Sequence, residues 1–244
     1  MISNCRTFSH LFFKTQTHNL LPKPLGILSP FTSTLSAHSH STKIKERSYW
    51  GYLKRKIKGA SVPPYSHVCQ VGDPILRGRA EYVNPGEIQG AEVQTVIKTL
   101  VKVMRNLECV GLSAPQIGVS LRILVLEYPR KMLEDWPPEF IEARGVVEFP
   151  LKIFVNPQLR VLDGQKVLFP EGCESISGYA AFVPRYLSVE VSGLNEKAES
   201  VTWQASGWPA RILQHEMDHL DGTLYIDHMD SKTFVNVNWE EFNE

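Results

Sequence analysis

Residues 208–220 constrain this chain more than any other segment, because they have to form a helix whose polar triplet sits among apolar neighbours. Pro209 lies where a first helical turn tolerates proline, Ser206 is placed to cap the start, and Gly222 marks the stop. Through this stretch runs His215-Glu216-Met217-Asp218-His219, flanked by Leu213 and Leu220. Residues four apart share one face of a helix, so both imidazoles can reach one metal ion while Glu216, one step round, points beside it toward a water. Two imidazoles and a carboxylate in buried surroundings need partners, and a metal ion supplies them.

The rest of the chain has two textures. Between Gly86 and Cys109 the residues Val93, Val96, Ile97, Leu100, Val103, Met104 and Leu107 recur at three- and four-residue steps, the pattern of an amphipathic helix. From Leu121 onward come short β-branched runs at 122–126, 153–156, 159–162, 167–169, 187–191 and 199–203. Asn156-Pro157, Asp163-Gly164, and Gly193 with Asn195 punctuate them as turns. Helix, many strands, helix reads as an α+β fold, with antiparallel β-sheets around a central metal-binding helix.

A catalytic metal site normally takes three protein ligands and keeps one position open. Downstream of the helix, Asp227 and His228 are candidates for the third. Upstream, Glu171-Gly172-Cys173-Glu174-Ser175 offers a better one: Cys173 follows a strand and a glycine, where a thiol can project from a turn into a cleft. A bare cysteine is more often a small buried hydrophobe. A further segment, Gly111-Leu112-Ser113-Ala114-Pro115-Gln116-Ile117-Gly118, has small residues that let backbone approach a ligand, and an amide donor in Gln116.

Taken in order and spacing, CVGLSAPQ (109–116), EGCES (171–175) and QHEMDH (214–219) resemble the three motifs of peptide deformylases, GxGxAAPQ, EGCLS and QHExDH. The resemblance runs over most of Tyr65 to Asp230. It implies a peptide-deformylase-like fold and a metal-dependent hydrolase that takes the formyl group from the N-terminal formyl-methionine of nascent organelle-encoded polypeptides, releasing formate. By the same resemblance Cys173, His215 and His219 hold the metal with water in the fourth position, and Glu216 is the general acid/base. Gln116 and the backbone N–H of Glu174 form the oxyanion site. Fe²⁺ is the implied native ion, with Zn²⁺, Co²⁺ or Ni²⁺ tolerated by a His₂Cys donor set. A ferrous thiolate site also implies oxygen sensitivity.

An apolar pocket for the methionine side chain would draw on Val110, Ile212 and Trp203, and Gly111 and Gly172 would admit the peptide backbone. Two departures from the pattern need weighing: Cys109 replaces the first glycine and Glu174 the leucine after the metal cysteine. Both changes resemble animal mitochondrial members, whose likeness also implies a homodimer. Arg185, twelve residues after Cys173, is expected to pair with Asp218 and hold the metal helix to the sheet. Rival classes are a general HExxH peptidase, a blue-copper carrier and a silent metal protein. The first lacks use for the cysteine and Gln116 loop, the second for Glu216, and the third wants a fourth protein ligand.

The first acidic residue is Glu46; before it stand Arg6, Lys14, Lys23, Lys43 and Lys45 among thirteen Ser and Thr. That is the composition of a mitochondrial transit peptide over 1–45, and no uninterrupted apolar core argues for secretion. A basic linker over 46–64 and a catalytic domain over 65–244 follow, with the mitochondrial matrix as the expected address, near mitochondrial ribosomes. Lysine and arginine balance aspartate and glutamate at 26 each, which gives no reason to expect direct nucleic-acid binding. No apolar run approaches the roughly 18 to 20 residues of a membrane span. Cys5, Cys69, Cys109 and Cys173 are too dispersed for a disulfide framework, as suits a reducing compartment.

Overall fold

The computed structural model describes residues 61–134 and 136–242; the expected leader, and residues 46–60 of the expected linker, lie outside the described residues. The amphipathic pattern after Gly86 becomes α1, Ala91–Asn106, which buries Val93, Val96, Ile97, Leu100, Val103 and Met104 on one face. Each such side chain contributes roughly 1.5 to 3 kcal/mol on leaving water. Then follow β1 (Gly111–Ser113), β2 (Ile123–Tyr128), a short helix α2 (Pro138–Arg144), β3 (Phe149–Val161) and β4 (Lys166–Cys173). The chain continues through β5 (Ile176–Tyr186), β6 (Ser188–Leu194), β7 (Ser200–Ser206), α3 (Trp208–Leu220) and β8 (Val235–Asn236).

Two antiparallel sheets result, one ordered β1-β2-β3-β6-β7 and the other β4-β5-β8. α3 touches strands of both sheets, so it is central, and eleven of its residues are buried. This is the α+β arrangement of antiparallel sheets around a central helix. Among the described residues no helix is long and apolar enough to cross a membrane.

The structure differs from the sequence expectations in three places. Asn156-Pro157 is not a turn between two strands. It is a bulge inside the single strand β3, where the register against β6 shifts between Val155 and Gln158. Asn156 takes φ 54°, which asparagine tolerates, and its amide pairs with both the N–H and the C=O of Val83 at 2.8 Å. Ser206 is not the cap of α3, because it ends β7 and its hydroxyl meets Ser188. Gly207 takes the cap position at φ 66° and ψ −131°, where a Cβ would come within 2.9 Å of the Gly145 carbonyl oxygen. β5, β8, β1 and α2 were not anticipated. At the far end of α3, Arg122 donates to the Leu220 carbonyl and to Asp221, satisfying a terminal carbonyl of the helix.

Candidate metal centre

Two elements meet to build the centre. α3 presents His215, Glu216 and His219, and β4 ends in Cys173, which pairs opposite Ile176 across the two-residue turn Glu174-Ser175. One ligand atom each from Cys173, His215 and His219 lie within 4.8 Å of one another, and all three residues are buried. His219 Nε2 is 3.3 Å from Cys173 Sγ. His215 donates from Nδ1 to Glu171 Oε2 at 3.0 Å, which fixes the ring and turns Nε2 inward, buried and without a hydrogen-bond partner among the described residues. Asp227 and His228 take no part: Asp227 pairs with Arg77, and His228 lies 3.7 Å from Asp218.

The electrostatics call for a cation here. Burial opposes ionisation of the Cys173 thiol, yet His219 and then His215 hold its pKa well below that of a free thiol. Burial likewise opposes charge on His215, but the neighbouring Cys173 sulfur and the hydrogen bond to Glu171 push its pKa up to about 9. A buried thiolate flanked by imidazoles, one of them with an orphaned nitrogen, is the donor set of a thiophilic divalent ion. The residues present therefore fit such an ion.

Behind the ligands lies a buried charge network. Arg185 clasps Glu171 with Nε to Oε1 and Nη2 to Oε2, both at 3.0 Å, and reaches Asp218 Oδ2 with Nη1 at 2.6 Å. The expected Arg185–Asp218 pair is thus present, with Glu171 as an additional member. Arg211, one helical turn before His215, donates to Glu171 Oε1 at 2.7 Å and to the carbonyls of Val183 and Val167. Burial opposes the Glu171 charge, but Arg185 and then His215 hold its carboxyl well below the usual carboxylate range. Glu171 and Arg211 were not singled out from sequence. The only signal was position: Glu171 leads the EGCES segment, and Arg211 falls on a helix otherwise committed to the core.

Around the opening of the centre, β1 brings Gly111 against α3. A Cβ at Gly111 would stand 2.6 Å from Glu216 Oε1, so any larger residue here would push the carboxylate aside. Gln116 is buried; its Oε1 accepts the Ser113 N–H at 2.9 Å, which directs Nε2 toward Ser175 Oγ at 3.2 Å and Cys173 Sγ at 3.7 Å. Glu174 is buried at the turn, and its carbonyl accepts from Gln70. Gly172 lies opposite Ala180 at the register shift that ends β4. Val110 and Ile212 belong to one apolar cluster, with Trp203 packed on its edge against Phe149. Cys109 is not at the centre's donor atoms. Its thiol lies near the Met104 and Gly111 carbonyls, and burial pushes its pKa up to about 12, so it is an inert wall residue. Ser113 is a residue the sequence reading passed over: its hydroxyl reaches Glu216.

Comparison with known proteins agrees with this geometry. The polypeptide deformylase family model matches residues 65–235. The mitochondrial peptide deformylase of Homo sapiens is 54% identical over 198 residues, covering 81% of this chain and 82% of that protein. The chloroplastic/mitochondrial peptide deformylase 1A of Arabidopsis thaliana is 44% identical over 96% of this chain and 83% of its own. Among solved structures, a class I type b peptide deformylase from Acinetobacter baumannii with Met-Ala-Ser bound superposes with TM-score 0.59 at 28% identity, over 66% of this chain and 96% of that one.

Proposed function

The chain belongs to the peptide deformylase family, and we propose that Cys173, His215 and His219 hold its metal ion while Glu216, Gln116 and the backbone N–H of Glu174 carry the reaction. That reaction is removal of the formyl group from the N-terminal formyl-methionine of nascent polypeptides, with release of formate. The observation that carries the assignment is the convergence of one thiol and two imidazole nitrogens within 4.8 Å, next to a buried carboxylate. When bound, a divalent ion acidifies a water and polarises the formyl oxygen.

The chain's own residues do the rest. Glu216 takes a proton as water attacks the formyl carbon. Negative charge then builds on the formyl oxygen, where the Gln116 amide and the Glu174 N–H donate hydrogen bonds. One such donor is worth roughly 2.7 to 4 kcal/mol. As the carbon–nitrogen bond breaks, Glu216 returns the proton to the departing amine. Glu171, held by Arg185 and Arg211, keeps His215 in the tautomer with Nε2 free.

In this reading the methionine side chain packs by the cluster that holds Val110 and Ile212, with Trp203 at its edge, and Gly111 and Gly172 admit the peptide backbone. The native ion is Fe²⁺ in this reading, with Zn²⁺, Co²⁺ and Ni²⁺ able to replace it, because a thiolate and two neutral imidazoles suit each of them. The chain is mitochondrial, as is the human relative, and the Arabidopsis relative is chloroplastic/mitochondrial. Residues 1–45 direct import to the matrix, 46–64 link, and 65–244 form the catalytic domain, which works as a homodimer near mitochondrial ribosomes. Formate release from formyl-Met-Ala-Ser by iron- or cobalt-loaded protein under anaerobic conditions tests the assignment. Turnover that disappears in Glu216→Ala supports it, and no turnover with metal bound would overturn it, with Glu174 the first residue to re-examine.

A further inference from the structure

The two oxygens of the Glu216 carboxylate stand in different surroundings. Oε2 accepts a hydrogen bond from Ser113 Oγ at 2.7 Å, whereas Oε1 is buried with no hydrogen-bond partner among the described residues. Ser113 is fully buried, and its single hydroxyl proton has two acceptors in reach: Oε2, and the Glu216 backbone carbonyl at 3.0 Å. The charged acceptor is the nearer, at a length typical of a hydroxyl donating to a carboxylate. Gly111, two residues back and so on the same side of β1, crowds the carboxylate: a Cβ there would stand 2.6 Å from Oε1 and 3.1 Å from the carboxyl carbon. The carboxylate is therefore gripped at one oxygen by a hydroxyl and bounded at the other by bare backbone. Ser113 also touches Gln116, since its N–H donates to Gln116 Oε1 at 2.9 Å. The family pattern GxGxAAPQ has alanine at this position, where this chain carries Ser113.

We propose that Ser113 is a positioning residue for deformylation: its hydroxyl occupies Oε2 and leaves Oε1 as the oxygen that carries the proton from water to the departing amine. The proposal rests on the reading of Glu216 as the acid/base. A terminal carboxylate torsion is broad when nothing holds it, and a proton carrier that rotates spends less time in line with the atoms it serves.

The test is steady-state turnover of formyl-Met-Ala-Ser by the full cobalt-loaded chain, comparing Ser113→Ala and Glu216→Ala with the unaltered protein. Cobalt affinity is measured in parallel by chelator competition. Because the pattern carries alanine here, Ser113→Ala asks about the hydroxyl alone. Losing a hydrogen bond to a charged group corresponds to about a tenfold fall in kcat, with KM and cobalt affinity held within about twofold. A kcat equal to or above that of the unaltered protein would overturn the proposal, as would an equal decline in kcat and cobalt affinity, which would mark a packing role. If Glu216→Ala abolishes turnover while Ser113→Ala does not lower it, the proposal alone fails. If Glu216→Ala keeps its turnover, the acid/base reading fails and the proposal with it.

Discussion

Replacing Glu171 with glutamine should weaken both the fold and the metal site, although Glu171 touches neither metal nor substrate. Its side chain is 0% exposed and makes four charged or polar contacts between 2.7 and 3.0 Å, to Arg185 twice, Arg211 once and His215 once. Glutamine keeps the shape, but its NH₂ would face a donor, and two guanidiniums would lose their shared anion. Breaking a buried pair of this kind costs about 3 to 5 kcal/mol. For a domain of this size that is a fall of roughly 6 to 20 °C in thermal midpoint. Freeing His215 Nδ1 should also lower metal affinity by about 10- to 100-fold.

The pH dependence has a definite sign. Arg185 and His215 hold the folded carboxyl below its unfolded value of about 4.3. The stability it contributes is thus complete above about pH 4.3 and is lost only as pH falls toward the depressed folded value. The gap between the unaltered protein and Glu171→Gln should therefore be full at pH 7 and close in acid. Circular dichroism melts at steps from pH 7 down to pH 2, with chelator competition at pH 7, measure this. A pH 7 midpoint within about 2 °C of the unaltered protein, with unchanged metal affinity, would refute the reasoning.

Glu216→Ala should lose about 10²- to 10⁴-fold in formate release while metal analysis still finds the ion bound. Gly111→Ala should lower turnover at least about tenfold with the circular dichroism spectrum intact, because the new Cβ meets Glu216 Oε1 at 2.6 Å and Ile212 Cγ2 at 3.0 Å. Arg185→Leu removes the clasp on Glu171 and the link to Asp218, so the thermal midpoint should drop about as far as in Glu171→Gln. An unchanged midpoint would argue against the network.

What the sequence made legible depended on how local each determinant is. α3 was read from Trp208 to Leu220 because Pro209, the apolar spacing and Gly222 all act within a few residues. β5 escaped notice because Ser177, Gly178, Ala180, Ala181 and Pro184 carry little strand preference; it is a strand because β4 pairs along its whole length. The same division runs through the site. His215 and His219 were visible since their four-residue spacing is a property of one helix, whereas Cys173 was the better of several candidates for the third ligand until its motif was matched to a known pattern. Of their supports only Arg185 was anticipated, as the partner of Asp218; Glu171 and Ser113 were not. Glu171 lies 44 residues before His215, Arg185 lies 33 before Asp218, and Ser113 lies 103 before Glu216. A helix buried against both sheets can keep a polar face only if each charged or titratable group is answered from another element. Strands β4, β5 and β1 supply those answers, with Arg185 and Glu171 meeting across the β4–β5 pair and Ser113 arriving on the short strand that also brings Gly111. The motif in α3 thus states what chemistry the helix holds, and the strand register decides which oxygens and nitrogens remain free to perform it.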